Sequence, residues 1–156
     1  MIIQSEKKLL ALDISLSNTG YFFDHENRGV LSPPKLKAGA RLSWFRKEFE
    51  DLFHSTSVVW VEGYSYGSKF GREALAELHG VAYILAYQFG LNVYRVPPTT
   101  IKAFLGNGKA KKDQVAELLY KKTGKAYSSH DLNDAYALNL FANEVTEAKK
   151  KSFLYC

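Results

Sequence analysis

Hydrophobic and polar positions fall into two rhythms along this chain of 156 residues. The first part is short-period. Residues 7–14 and 19–24 are Leu-rich and aromatic, and Ser15, Ser17 and Asn18 supply turn formers between them, so they read as paired strands. Gly20 stands where a bulkier residue would have little room. Residues 29–37 read as a third strand, which Pro33 and Pro34 restrict to an edge or irregular piece. Then the period lengthens. Leu42, Phe45, Phe49, Leu52 and Phe53 share one helical face, predicting a helix over 41–54. "STSVVWVEG", 55–63, reads as a short buried strand ending at Glu62. A helix over about 70–89 follows, with Leu75, Leu78, Ala82 and Leu85 on one side and Gly90 closing it. "LNVYRV", 91–96, is the next strand, and Pro97-Pro98 ends it. Thr99 or Thr100 is placed to cap a short helix to Leu105. "GNGKAKKD" is a loop leading into a helix over 111–123 that Gly124 stops, and Ser128 or Ser129 caps a last helix over about 130–147. Residues 148–156 are expected to form a frayed basic tail.

Three strands, helix, strand, helix, strand and then helices make an α/β protein of three layers, with a mixed five-stranded sheet flanked by helices. The length suits one domain, 1–156, with no internal repeat or linker. At 46% hydrophobic and 24% charged, the composition is that of a soluble globular protein. No apolar run reaches the roughly 18 residues of a membrane span. Lys7, Lys8 and Asp13 break the N-terminal apolar patch, which reads as a core strand and not as a signal peptide. The single cysteine, Cys156, permits no intrachain disulfide. A reducing compartment fits, so the expected location is cytoplasmic. Lys and Arg number 21 against 16 acids, a net charge of +5. That excess suits a polyanionic partner, and equally suits solvated Lys-rich helices.

Four acids change the picture. Asp13 lies near the end of the first strand among Leu10, Leu12 and Ile14, where an unpartnered carboxylate is expensive. Glu62 ends the strand 57–62. Asp131 and Asp134 open the last helix, three residues apart, and so share a face with Ala135, Leu138 and Ala142. Each has an ordinary reading alone: a helix-dipole position for Asp131, surface for Asp134, a turn before Gly63 for Glu62. If the strands of Asp13 and Glu62 are parallel neighbours, their C-terminal ends sit side by side, where open α/β sheets place their sites. Four converging carboxylates repel, and at least one takes up a proton unless cations are present. Hard divalent ions such as Mg²⁺ prefer this donor set. Two such ions match four negative charges, and two-metal carboxylate sites suit in-line displacement at phosphorus. With these acids gathered in one place, the remaining surface is more basic still, as a phosphodiesterase acting on nucleic acid requires.

These residues resemble RuvC, the bacterial Holliday-junction resolvase, and its phage-encoded relatives in the ribonuclease H-like superfamily. "LALDISLSNTGYFF" is similar to that family's first strand and turn, and "VVWVEG" to the strand ending in its second acid. "GNGKAKKDQV" is similar to its Gly-x-Gly-x-Ala-x-Lys-x-Gln-Val segment, through Gly106, Gly108, Ala110, Lys112, Gln114 and Val115. "HDLNDAYAL" is similar to its Asp-x-x-Asp-Ala-x-Ala-Leu helix. The four motifs occur in order over roughly residues 8–145. The resemblance implies a ribonuclease H-like fold and a homodimeric endonuclease that nicks two strands of a four-way DNA junction symmetrically. It implies Mg²⁺, with Mn²⁺ able to substitute and two ions per site. Asp13, Glu62, Asp131 and Asp134 are then the catalytic metal ligands, and Lys112 a phosphate contact. Lys69, Lys109 and Lys111 are further candidates for the DNA face, although the last two read more readily as solvent-facing lysines. The helix 70–89 is the candidate dimer interface, or simply a core helix.

The chain also departs from the family pattern. The usual Pro after the first acid is Ile14, and the aromatic residue three positions after the second acid is Ser65, flanked by Tyr64 and Tyr66. Either tyrosine is placed to stack on a base or to pack locally. Relaxed sequence preference is the corresponding expectation. Three rivals stand beside the resolvase. A ribonuclease H, or another branch- or hybrid-cutting nuclease, is the nearest, although ribonuclease H carries its second acid on a helix. A non-catalytic junction-binding module is disfavoured by four intact acids, and an actin-like nucleotide-binding protein by the short chain. "GNGKAKK" lacks the spacing and hydroxyl of a phosphate loop. His130 reads as a surface or capping residue, or as support for a ligand.

Overall fold

The structure, a computed structural model, describes residues 6–64 and 71–156. Tyr66 and Lys69, with Ser65, lie outside them. At the centre of the sheet is β1 (Lys8–Asp13), with β2 (Thr19–Phe22) and then β3 (Arg28–Leu31) on one side, and β4 (Thr56–Glu62) and β5 (Val93–Val96) on the other. The β1–β2 and β2–β3 pairs are antiparallel, and the β1–β4 and β4–β5 pairs are parallel. The sheet is mixed and five-stranded, as the order of elements predicts. The third strand stops at Leu31, short of Pro33 and Pro34, and forms the edge.

Two faces follow from the period of two along each strand. Leu10 and Leu12 of β1, with Val59 and Val61 of β4, point to one side, where α1 (Ala38–Phe53) and α2 (Arg72–Gln88) cover them. Phe45, Phe49 and Phe53 of α1 are buried there at i, i+4, i+8 spacing. Such a side chain contributes roughly 1.5–3 kcal/mol by burial, so this stripe fixes α1 against the sheet. Ala11 and Trp60 point the other way, into a core closed by α3 (Pro98–Leu105), α4 (Lys112–Thr123) and α5 (His130–Glu144). Helix α5 is buried on most of its surface, from Leu132 to Ala142. Small residues Ala135, Ala137 and Ala142 let it lie close to the strands.

Element ends differ from the sequence reading in informative ways. Pro97, in extended conformation, occupies the cap position of α3, and Pro98 is its first residue; Thr99 and Thr100 sit inside the first turn. A proline there gives up only an amide hydrogen that has no helical partner. Ser129 caps α5 by accepting from the Leu132 N–H at 3.2 Å. Helix α5 ends at Glu144, earlier than the 147 expected, because Thr146 starts a new helix, α6 (Glu147–Lys150), by capping Lys149 N–H.

The expected frayed tail is instead packed. Beyond α6, residues Lys151–Phe153 form a 3₁₀ turn, and Leu154 bridges Tyr94 in antiparallel sense. The Tyr155 N–H donates to the Val93 carbonyl at 2.8 Å. Phe153 sets its ring edge against Phe141 at 5.5 Å. The last residues thus cover the outer edge of β5, whose backbone groups would otherwise stay unpaired.

Candidate active site

Parity along the strands places the first two acids. Asp13 continues the face of Leu9 and Ala11, and Glu62 continues the face of Val58 and Trp60. Leu12 pairs with Val61 in parallel register, so the next residues, Asp13 and Glu62, end adjacent strands side by side, facing α5. The turn after β1 is held by the buried Thr19, whose Oγ1 donates to the Ser15 carbonyl at 2.8 Å and accepts from the Ser15 N–H at 3.1 Å.

Gly20 brings the helix to the strands. It pairs with Asp13 across β1 and β2. A Cβ there would lie 2.1 Å from the backbone oxygen of Asp131 and 2.7 Å from its carbonyl carbon. Only a residue without a side chain lets the first turn of α5 rest on β2, and that contact directs Asp134 toward the strand ends.

Carboxylate oxygens of Asp13, Glu62 and Asp134 all lie within 4.8 Å of one another. Asp131 stands outside this trio, although it lines the same cavity of about 510 Å³. Of the four acids singled out by spacing, three therefore converge and the fourth flanks them. All four are half-buried. Desolvation, then the charges of Asp134 and Asp131, push the Asp13 carboxyl up to about 8. Burial and the neighbouring Asp13 hold Glu62 well above the ordinary carboxylate range. Desolvation raises Asp134 to about 6, against the pull of Lys112. Three hard oxygen donors at this separation, each in an environment that disfavours its own charge, fit a divalent cation.

Lys112, the first residue of α4, lines the cavity beside the acids. Lys109 and Lys111 are exposed and do not line it. In that loop, the Lys111 N–H donates to the Gln114 side chain at 2.9 Å and the Lys109 N–H to Asn107 Oδ1 at 3.0 Å. Tyr64 lines the cavity too, its ring edge-on to His79 at 5.1 Å. His130 is exposed and lies 3.4 Å from Asp113.

Lys102 was missed by the sequence reading. It is half-buried on α3, lines the cavity, and its charge favours the ionised forms of Glu62 and Asp134. A signal was available: Ile101 and Leu105 are the buried face of α3, and a lysine next to that face, just after the C-terminal end of β5, is poised at the same sheet end as the acids.

No family model matches the chain, and no curated protein sequence does. Solved structures do. One is RuvC of Thermus thermophilus, at a TM-score of 0.69 and 19% identity, covering 94% of this chain and 97% of the other. Another is T. thermophilus RuvC in complex with a Holliday junction substrate, at a TM-score of 0.73 and 19% identity, covering 96% and 98%. The fold is the ribonuclease H-like fold of RuvC, along nearly the full length of both chains.

Proposed function

We propose that this chain is a metal-dependent, structure-selective DNA endonuclease of the RuvC kind, a single nuclease domain that cuts four-way junctions with paired symmetric nicks. One observation carries the reading: the carboxylates of Asp13 and Glu62 at the ends of two adjacent parallel strands meet that of Asp134 from α5, with Asp131 and two lysines lining the same cavity. The likeness to a RuvC bound to a Holliday junction supports branched DNA as the partner. The position of Glu62 at a strand end supports a resolvase over a ribonuclease H.

Asp13, Glu62 and Asp134 would hold divalent cations, Mg²⁺ or Mn²⁺, with Asp131 as the fourth ligand. Two such ions, when bound, supply a nucleophile at neutral pH and charge stabilisation in phosphodiester hydrolysis. The chain's own groups do the rest. The strand ends fix Asp13 and Glu62, so their spacing costs no reorganisation during reaction. Lys112 and Lys102 draw a phosphate toward the four acids of the pocket and offset its charge. Lys109 and Lys111 extend the basic loop outward and contact DNA beyond the cavity. Tyr64 offers an aromatic face to a base beside the cut strand, and Tyr66 and Lys69, which lie outside the described residues, are candidate DNA contacts from the sequence alone.

The active form is a homodimer. A junction is near two-fold symmetric, and a two-fold dimer presents two sites to two equivalent strands. Helix α2 buries Leu78, Ala82, Leu85 and Ala86 in the core, yet leaves Ile84 and Tyr87 exposed, at 62% and 84%, and that outer face is the interface. Among the described residues no helix is long and apolar enough to cross a membrane.

The test is cutting of end-labelled DNA in Mg²⁺: a four-way junction, a three-way junction, a flap, a linear duplex and an RNA–DNA hybrid, each also with Asp131→Asn. Paired nicks on the four-way junction, absent in the variant, are the expected result. Cutting of the hybrid alone would move the chain to ribonuclease H, and junction binding without cutting would leave a binding module. Junctions that differ only at the crossover should be cut comparably; restriction to one core sequence would contradict the relaxed preference expected from Ser65.

A further inference from the structure

A second cavity, about 560 Å³, opens directly beside the first and shares Tyr64, Pro98 and Lys102 with it. Its other walls include Arg95 of β5 and, from the C-terminal segment, Ser152 and Phe153. Among the described residues no carboxylate lines it. Two cations and two aromatic rings thus form a groove that runs on from a pocket of acids.

Arg95 is braced in place. Its guanidinium carbon lies 4.0 Å from the centre of the Tyr155 ring. Tyr155 in turn packs on Tyr83 at 4.6 Å. The Tyr83 hydroxyl meets Nδ1 of the buried His79 at 2.9 Å. Among the described residues no carboxylate pairs with Arg95. A guanidinium set over an aromatic ring and hydrogen-bonded to the Tyr83 hydroxyl, with no carboxylate partner among the described residues, keeps donors to offer a fork of anionic oxygens. Tyr64 and Phe153 at the walls match the flat apolar surface of a nucleobase. The packed tail has a purpose in this arrangement: Tyr155 orients Arg95, and Phe153 makes the wall.

We propose that this groove seats a nucleotide flanking the scissile phosphate, its phosphate on Arg95 and its base against Tyr64 and Phe153, so that the C-terminal segment is part of the DNA-binding surface. The inference rests on the nuclease reading above. Arg95 acts here as a positioning residue for the strand, and Lys102 links the two cavities.

The experiment measures binding of a labelled four-way junction to the non-cutting Asp131→Asn protein, by anisotropy, at salt from about 50 to 200 mM. Arg95→Gln should weaken binding about tenfold and make the salt dependence shallower by about one ion. Arg95→Lys should keep the slope and recover part of the affinity. Ser152→Glu, at an exposed wall position where folding is not at stake, should weaken binding by repulsion. Unchanged affinity and slope in Arg95→Gln and Ser152→Glu, while the parent protein binds and the wild type cuts, would overturn the groove alone. A parent that neither binds nor cuts branched DNA would remove the groove together with the nuclease reading.

Discussion

Replacing Asp13 by Asn should make the metal-free protein more stable at neutral and alkaline pH while ending its ability to cut. Desolvation and the facing acids lift the Asp13 carboxyl from 3.8 to about 8. The folded protein therefore keeps a proton that the unfolded chain releases. The stability contributed by this proton is full below about pH 4, declines at roughly 1.4 kcal/mol per pH unit through the window up to about pH 8, and is gone above it. Between about pH 5 and pH 7, Asp13 together with the acids that face it then accounts for a fall on the order of 3 kcal/mol. Asp134, raised to about 6, shares the early part of that fall, and Glu62 moves in the same direction. Asn binds no proton in either state and relieves its neighbours of one charge. In urea unfolding with EDTA across this range, the wild type should lose stability steeply and Asp13→Asn much less. Added Mg²⁺ should flatten the wild-type curve, because an ion that binds only the folded state stabilises it and competes with protons for the same oxygens. Junction binding by Asp13→Asn should be intact or tighter, since a negative charge leaves the pocket. A wild-type profile flat in EDTA, or an Asn variant with the same slope, would refute the proposed convergence of charge.

Gly20→Ala should destabilise by about 2 kcal/mol or more and reduce cutting sharply, since a Cβ would sit 2.1 Å from the Asp131 carbonyl oxygen; a thermal melt and a cutting assay that both match wild type would contradict the close approach. Lys102→Gln should slow single-turnover cutting by about 100-fold with little change in junction affinity, whereas an unaffected rate would remove Lys102 from the site. Charges on the outer face of α2, introduced together as Ile84→Glu and Tyr87→Glu, should yield monomers in sedimentation analysis that retain their folded spectrum, and persistence of a dimer would place the interface elsewhere.

The chain itself determined the alternation that sorts β1 and β4 into two faces, the helical stripes of α1 and α2, the stops at Gly90 and Gly124 with their positive φ of 69° and 75°, and the positions of the four acids. These are local properties: side-chain periodicity, turn chemistry and missing amide hydrogens act within a few residues. Even the facing of Asp13 and Glu62 follows from parity, once the two strands are taken as parallel neighbours. Tertiary structure decided what depends on distant partners. That Asp134 joins the trio while Asp131 flanks it is set by how α5 lands on Gly20, a contact between residues more than a hundred positions apart. Lys102 reached the acids only because α3 docks at the same sheet end. The tail looked frayed because Lys149, Lys150 and Lys151 dominate its composition. Its order comes from Phe153, Leu154 and Tyr155 finding Phe141, Tyr94, Tyr83 and Arg95. Burial of apolar surface and pairing of an open strand edge outweigh the fraying of a short charged segment, and neither can be felt until β5 is in place.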